Sequence, residues 1–130
     1  MADQALDLWP QIESVNVRTP GTILKQQAAL LGKHTKNLIE GRVATRAHSG
    51  GFLHSFLIDV PTLDYTFELF AVAHDLNLYP VRVDTLSRNF GVSSHAPLIS
   101  EAEFVDWLKA VLNSAETKRI LATLMAQAES

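Results

Sequence analysis

From Thr19-Pro20-Gly21-Thr22 onward the chain repeats its apolar positions at helical spacing. Ile23, Leu24, Ala28, Leu30 and Leu31, with Gln27 and His34, fall on one arc at about 100° per residue, while Lys25, Ala29 and Lys33 fall opposite. This predicts a helix of about three turns with a basic outer edge. Upstream, Leu6, Leu8, Trp9 and Ile12 make a weaker pattern broken by Pro10, which reads as a short helix or an extended arm pinned by Trp9.

The period then changes to two. Leu38 to His48 alternates, and Gly50 and Gly51 can take the positive φ angles of a tight hairpin. With those glycines as the turn, the predicted opposed pairs on one face are Ser49–Phe52, Ala47–His54, Thr45–Phe56 and Val43–Ile58. On the other they are His48–Leu53, Arg46–Ser55, Ala44–Leu57 and Arg42–Asp59. Tyr65 to His74 alternates as a third strand, with Tyr65, Phe67, Leu69, Ala71 and Ala73 on one side. Leu78 to Asp84 follows as a fourth, with Tyr79, Val81 and Val83 facing the core and Pro80 confining it to an edge.

Thr85 to Ile99 mixes Ser, Gly, Asn and Pro with isolated apolar residues and reads as a long loop. Ser100 with Glu103 is a capping box for a helix carrying Phe104, Val105, Leu108, Val111 and Leu112. Ser114 caps a last helix carrying Ile120, Leu121, Leu124 and Met125. The predicted fold is a single α+β domain, 1–130: a four-stranded antiparallel meander packed with an N-terminal helix and two C-terminal helices.

Composition narrows the class without naming a chemistry. With 47% hydrophobic and 19% charged residues the chain is of ordinary globular make-up, and the absence of cysteine excludes disulfides and thiolate chemistry. No stretch approaches the roughly 20 apolar residues that span a bilayer, and the opening Met1-Ala2-Asp3-Gln4-Ala5 lacks a basic region followed by an apolar run. The expectation is a cytoplasmic protein with no membrane partner.

Charge changes the picture more. Residues 1–17 carry Asp3, Asp7 and Glu13 and no Lys or Arg; residues 18–48 carry Arg18, Lys25, Lys33, Lys36, Arg42 and Arg46 against Glu40 alone; residues 49–130 are again acidic. The basic block suggests an anionic partner or internal pairing. Arg42, Arg46 and His48 recur at about 7 Å steps along one strand face, and Lys25 and Lys33 line the preceding helix. These five are the candidate anion- or partner-binding residues. Nucleic acid is a possible but unfavoured partner, because no aromatic residue lies among the basic ones.

No catalytic, cofactor or metal constellation stands out. The five histidines include no His-x-x-x-His pair, His34 and His54 read as core histidines, and His48 reads as a solvated strand-end residue. Gly32-Lys33 lacks the rest of a phosphate-binding loop, with Gln27 where Gly is needed and His34 where Ser or Thr is needed. Ser93-Ser94-His95 is a polar loop without a nucleophile elbow.

The outer sheet face is an anomaly. It should be polar if solvated, yet it is predicted to carry Ala44, Leu53, Leu57, Phe70 and Val72 beside Arg42, Arg46, Asp59, Glu68 and His74. Leu53, Leu57, Phe70 and Val72 are therefore a candidate interface, covered by the chain's own helices or by a second copy in a homodimer. The sequence reads best as a non-enzymatic interaction protein that binds a macromolecular partner or itself. One alternative is a small hydrolase or transferase using His48, His54, His74 or the Ser94-His95 loop. Another is a weak polyanion binder acting through residues 18–48.

Overall fold

The computed structural model describes residues 5–14, 18–86 and 96–130. Pro20 fits the first helical turn, where its missing N–H is not needed, and the Thr19 hydroxyl oxygen accepts from the Thr22 amide at 3.1 Å. Helix α1 therefore starts at Pro20 and runs to His34. The buried Thr35 hydroxyl, 3.1 Å from the Leu31 carbonyl and 3.0 Å from the Ile39 carbonyl, ties the helix end to the first strand.

Four antiparallel strands follow in the order β1 (Glu40–His48), β2 (Gly51–Val60), β3 (Tyr65–His74) and β4 (Arg82–Leu86), with a 3₁₀ turn at Pro61–Leu63 between β2 and β3. Helices α2 (Glu101–Leu112) and α3 (Ala115–Glu129) complete the chain. Ser100 and Ser114 cap them as expected, accepting from Glu103 N and Thr117 N, each at 3.2 Å. The fold is α+β, and residues 65–74 are a strand.

The hairpin register differs from the expected one by two residues. Val43 faces Phe56, and it is Gly41 that faces Ile58. The turn is Ser49-Gly50, with φ of 47° and 81°, and Gly51 belongs to β2. The reason lies across the sheet: a Cβ on Gly51 would sit 2.1 Å from the His74 carbonyl oxygen. Gly51 is thus needed for close approach to β3, which leaves the positive-φ positions to Ser49 and Gly50. A shift of two preserves which residues share a face, so the β1 and β2 face assignments survive. Arg42 and Asp59 still pair, at 2.8 Å, but diagonally, because Arg42 is opposite Leu57 and Asp59 opposite Glu40.

In β3 the expected alternation breaks at a bulge. Phe56 faces Phe70 and Leu57 faces Glu68, so Leu69 is an extra residue and both Leu69 and Phe70 point to the helical side. Tyr65, Phe67 and Leu69 keep their expected side, but Ala71 and Ala73 cross to the other. Phe70, Val72 and His74 turn inward. Phe70 (1% exposed) and Val72 (0%) therefore lie in the main core, where sequence reasoning placed them on the outer face.

All three helices feed that core. Leu24 of α1, Phe104, Trp107 and Leu108 of α2 and Ile120 of α3 join Phe56, Ile58, Leu69 and Phe70 in one cluster. The Phe70 ring stacks on Phe56 at 5.3 Å and meets the edge of Trp107 at 5.1 Å. Beneath α1, a Cβ on Gly41 would lie 2.7 Å from the Ala28 Cα, so a glycine lets helix and strand touch backbone to backbone. On the far face Leu53, Ala71 and Ala73 form a small separate cluster.

The fourth strand begins later than expected. Pro80, which has no N–H, follows a cis Tyr79–Pro80 bond, and the β3–β4 ladder starts only at Arg82. Val81 pairs with Leu98 through two 2.8 Å hydrogen bonds. The segment expected as one loop over 85–99 thus includes the end of β4 and this bridge, and Ser93-Ser94-His95 lies outside the described residues.

Candidate functional site

Helix α1 and the corner between α2 and α3 stand apart over the sheet and leave a cleft. Its larger hollow, about 280 Å³, has Gln27, Leu30, Leu31 and His34 of α1 on one wall and Leu112, Asn113, Thr117 and Leu121 on the other. Phe56, Ile58 and Leu69 lie at its bottom. A second hollow of about 250 Å³ shares Gln27, Leu112 and Asn113 with the first and continues past Gln26, Leu108 and Lys109 to Arg18. The bottom side chains are 1–2% exposed, so the accessible apolar surface comes from the walls, above all from Leu30 at 41%.

The formally charged side chains of the cleft are of one sign. Its described lining includes Arg18 and Lys109 and no carboxylate, beside the polar Gln26, Gln27, His34, Asn113 and Thr117. Arg18 is paired outside the cleft with Glu101 at 2.9 Å, and the buried Thr117 hydroxyl donates to the Val111 carbonyl at 2.7 Å. His34 was expected in the core. It is instead exposed at the last turn of α1, because the α2–α3 corner does not close over that end of the helix.

A second polar cluster lies buried where α1 starts over the hairpin. His54 (6% exposed) and His74 (3%) stack at 4.9 Å with their Nε2 atoms 2.8 Å apart. The His74 Nδ1 is 2.7 Å from the Asp75 carbonyl, which can only accept, so that nitrogen carries a proton. In neutral His74 the Nε2 then accepts from His54 Nε2–H, and His54 Nδ1 accepts from the Thr45 hydroxyl at 2.8 Å. The hydrogen bonds run in one direction from Thr45 to Asp75.

Burial holds His54 in that neutral form, helped by proximity to His74 and by the Lys25 charge; together they push its pKa down to about 4. The first turn of α1 rests on the ring, since a Cβ on Gly21 would lie 3.0 Å from His54 Cε1. His54 is thus a core histidine, as expected, but its partners are side chains. His74 was expected on the outer face and is its buried partner, because the β3 bulge reverses the strand's last residues.

The remaining candidates do not converge. Arg42, Arg46 and His48 project from the face away from the helices, opposite Leu57, Leu53 and Gly51, whereas Lys25 and Lys33 ride on α1 across the sheet. Arg42 donates to Asp59, and Thr66 donates to the same carboxylate at 2.7 Å, which holds the Asp59 carboxyl below the usual range. Of the four candidate interface residues, Leu53 and Leu57 lie on the outer face and Phe70 and Val72 in the core, so they do not form one surface.

Sequence reasoning missed the cleft and the histidine pair. Gln27 and His34 on the apolar arc of α1 were the available signal for the first. Nothing local signalled the second, since it depends on the bulge.

Among the described residues no group of three His, Cys, Asp or Glu side chains could hold a metal, and no helix is long and apolar enough to cross a membrane. Compared with known proteins, the chain matches no family model, no curated protein and no solved structure.

Proposed function

We propose that this chain is a non-enzymatic binding module whose working surface is the cleft between α1 and the α2–α3 corner, and that it takes an apolar group bearing negative charge. One observation carries the reading: the helical layer leaves an open hollow of about 280 Å³ over Phe56, Ile58 and Leu69 instead of closing on them. Concave, mostly apolar sites with a few polar groups are the usual form of a binding site. Each 100 Å² of apolar wall withdrawn from water by an occupant contributes about 2.5 kcal/mol. Lys109, with no carboxylate in the lining, favours an anionic occupant. The same lining supports binding over acid–base catalysis, because His34 has no Asp or Glu beside it there.

The test is a titration with 8-anilinonaphthalene-1-sulfonate, an apolar ring system with one negative charge, followed by methyl NMR. Leu30, Leu31, Leu112 and Leu121 methyls should shift and saturate together. Leu30→Glu, a change at an exposed wall position, should weaken binding at least about tenfold with far-UV circular dichroism unchanged. Shifts confined to Leu53 on the far face, or none that saturate, would overturn the reading.

A further inference from the structure

The segment before Arg18 is as unusual as the cleft. Residues 5–14 carry no helix or strand, and Leu6, Leu8, Trp9 and Ile12 are 82%, 81%, 82% and 74% exposed. Trp9 does not pin the arm to the body; its amide N–H donates locally, to Asp7 Oδ1 at 3.1 Å. Four large apolar side chains held in water within ten residues are costly, and such a concentration marks an interaction site. The arm also belongs to the block 1–17, which bears Asp3, Asp7 and Glu13 and no Lys or Arg.

Cleft and arm are complementary in both respects. The cleft offers apolar walls with Arg18 and Lys109 and no carboxylate; the arm offers apolar side chains with carboxylates and no cation. The arm also joins the body at Arg18, which itself lines the cleft, so an arm leaving one copy starts beside the surface that would receive another. Within a single chain the arm's apolar residues stay in solvent.

We propose that two copies of this chain exchange arms, the acidic apolar segment 5–14 of each docking in the cleft of the other. This rests on the cleft being a binding surface and names its occupant. The exchange is reciprocal, so every contact is made twice, as a closed twofold dimer requires. Trp9, with its large apolar area, is the natural anchor for the larger hollow. Asp7 and Glu13 supply the charge opposed to Lys109.

Sedimentation of the full chain over a concentration series should show a dimer. Trp9→Ala, in an arm whose removal from the body touches no core residue, should raise the dimer dissociation constant at least about tenfold without altering circular dichroism. Because the chain has no cysteine, Ala5→Cys gives a single spin-label site. Labelled chains at natural isotope abundance, mixed with unlabelled ¹⁵N chains, should broaden the Leu112, Asn113 and Leu121 amides of the ¹⁵N copy.

A monomer at all concentrations, a dimer indifferent to Trp9→Ala, or broadening absent from the mixed sample but present in a ¹⁵N chain that itself carries the label would each overturn the exchange. The last would place the arm in its own cleft. If the sulfonate dye still shifts the cleft methyls while the arm does not broaden them, the binding cleft stands and the arm proposal alone fails.

Discussion

Replacing His54 by Gln should remove a specific acid sensitivity of folding. In the unfolded chain His54 titrates near the ordinary histidine value of about 6.5, whereas in the fold burial, His74 and Lys25 bring it to about 4. Between those values the unfolded state binds a proton that the folded state refuses, so acid favours unfolding. The stabilisation from keeping His54 neutral is complete above pH 6.5 and is lost as the pH falls toward 4. At about 1.4 kcal/mol for each tenfold in proton affinity the full interval is worth about 3 kcal/mol. Solvent screening of exposed Lys25 reduces this, and about 2 kcal/mol is the expected loss by pH 4.5.

The assay is urea unfolding of both proteins at pH 7.5, 6.5, 5.5 and 4.5, followed by far-UV circular dichroism. Gln can still donate to His74 Nε2, so the variant should fold, be less stable than wild type at pH 7.5, and approach it as the pH falls. Asp59, held low by Arg42, loses its stabilising charge only as the pH falls through the carboxylate range, and does so in both proteins. Parallel stability curves across the four pH values would refute the neutral, desolvated assignment of His54.

Three further outcomes test the packing. Phe70→Asp puts a carboxylate in a position 1% exposed, between Phe56 and Trp107, and should cost at least about 4 kcal/mol, seen as loss of the near-UV signal and cooperative unfolding. Gly51→Ala meets the His74 carbonyl at 2.1 Å and should cost about 3 kcal/mol or more, whereas Gly50→Ala meets nothing and should cost only about 1 kcal/mol for its positive φ; chemical denaturation midpoints separate the two. Ser114→Ala removes the oxygen that accepts from Thr117 N and should lower stability by about 1 kcal/mol with α3 fraying first in hydrogen exchange.

The elements were legible in the sequence because each is specified locally. Thr19, Ser100 and Ser114 mark helix starts through their own side chains, and the strands carry period-two patterns that a register shift of two residues leaves intact. What was not legible depends on neighbours far along the chain. Gly51 is a strand residue because of the His74 backbone, not because of Gly50 beside it. Leu69 is an extra residue only in relation to Phe56 and Leu57, and that insertion decides whether Phe70, Val72 and His74 face core or solvent. The His54–His74 pair inherits the same dependence. The cleft arises from how far α1 stands from the α2–α3 corner, a distance that no single segment encodes.

A crystal structure of the chain grown with 8-anilinonaphthalene-1-sulfonate decides whether the cleft binds. The naphthalene ring should lie between Leu30 and Leu121 above Phe56, Ile58 and Leu69, with the sulfonate turned toward Lys109 or His34. A cleft closed by direct contact of α1 with the α2–α3 corner, or the ring seated on the Leu53 face with the cleft empty, would contradict it.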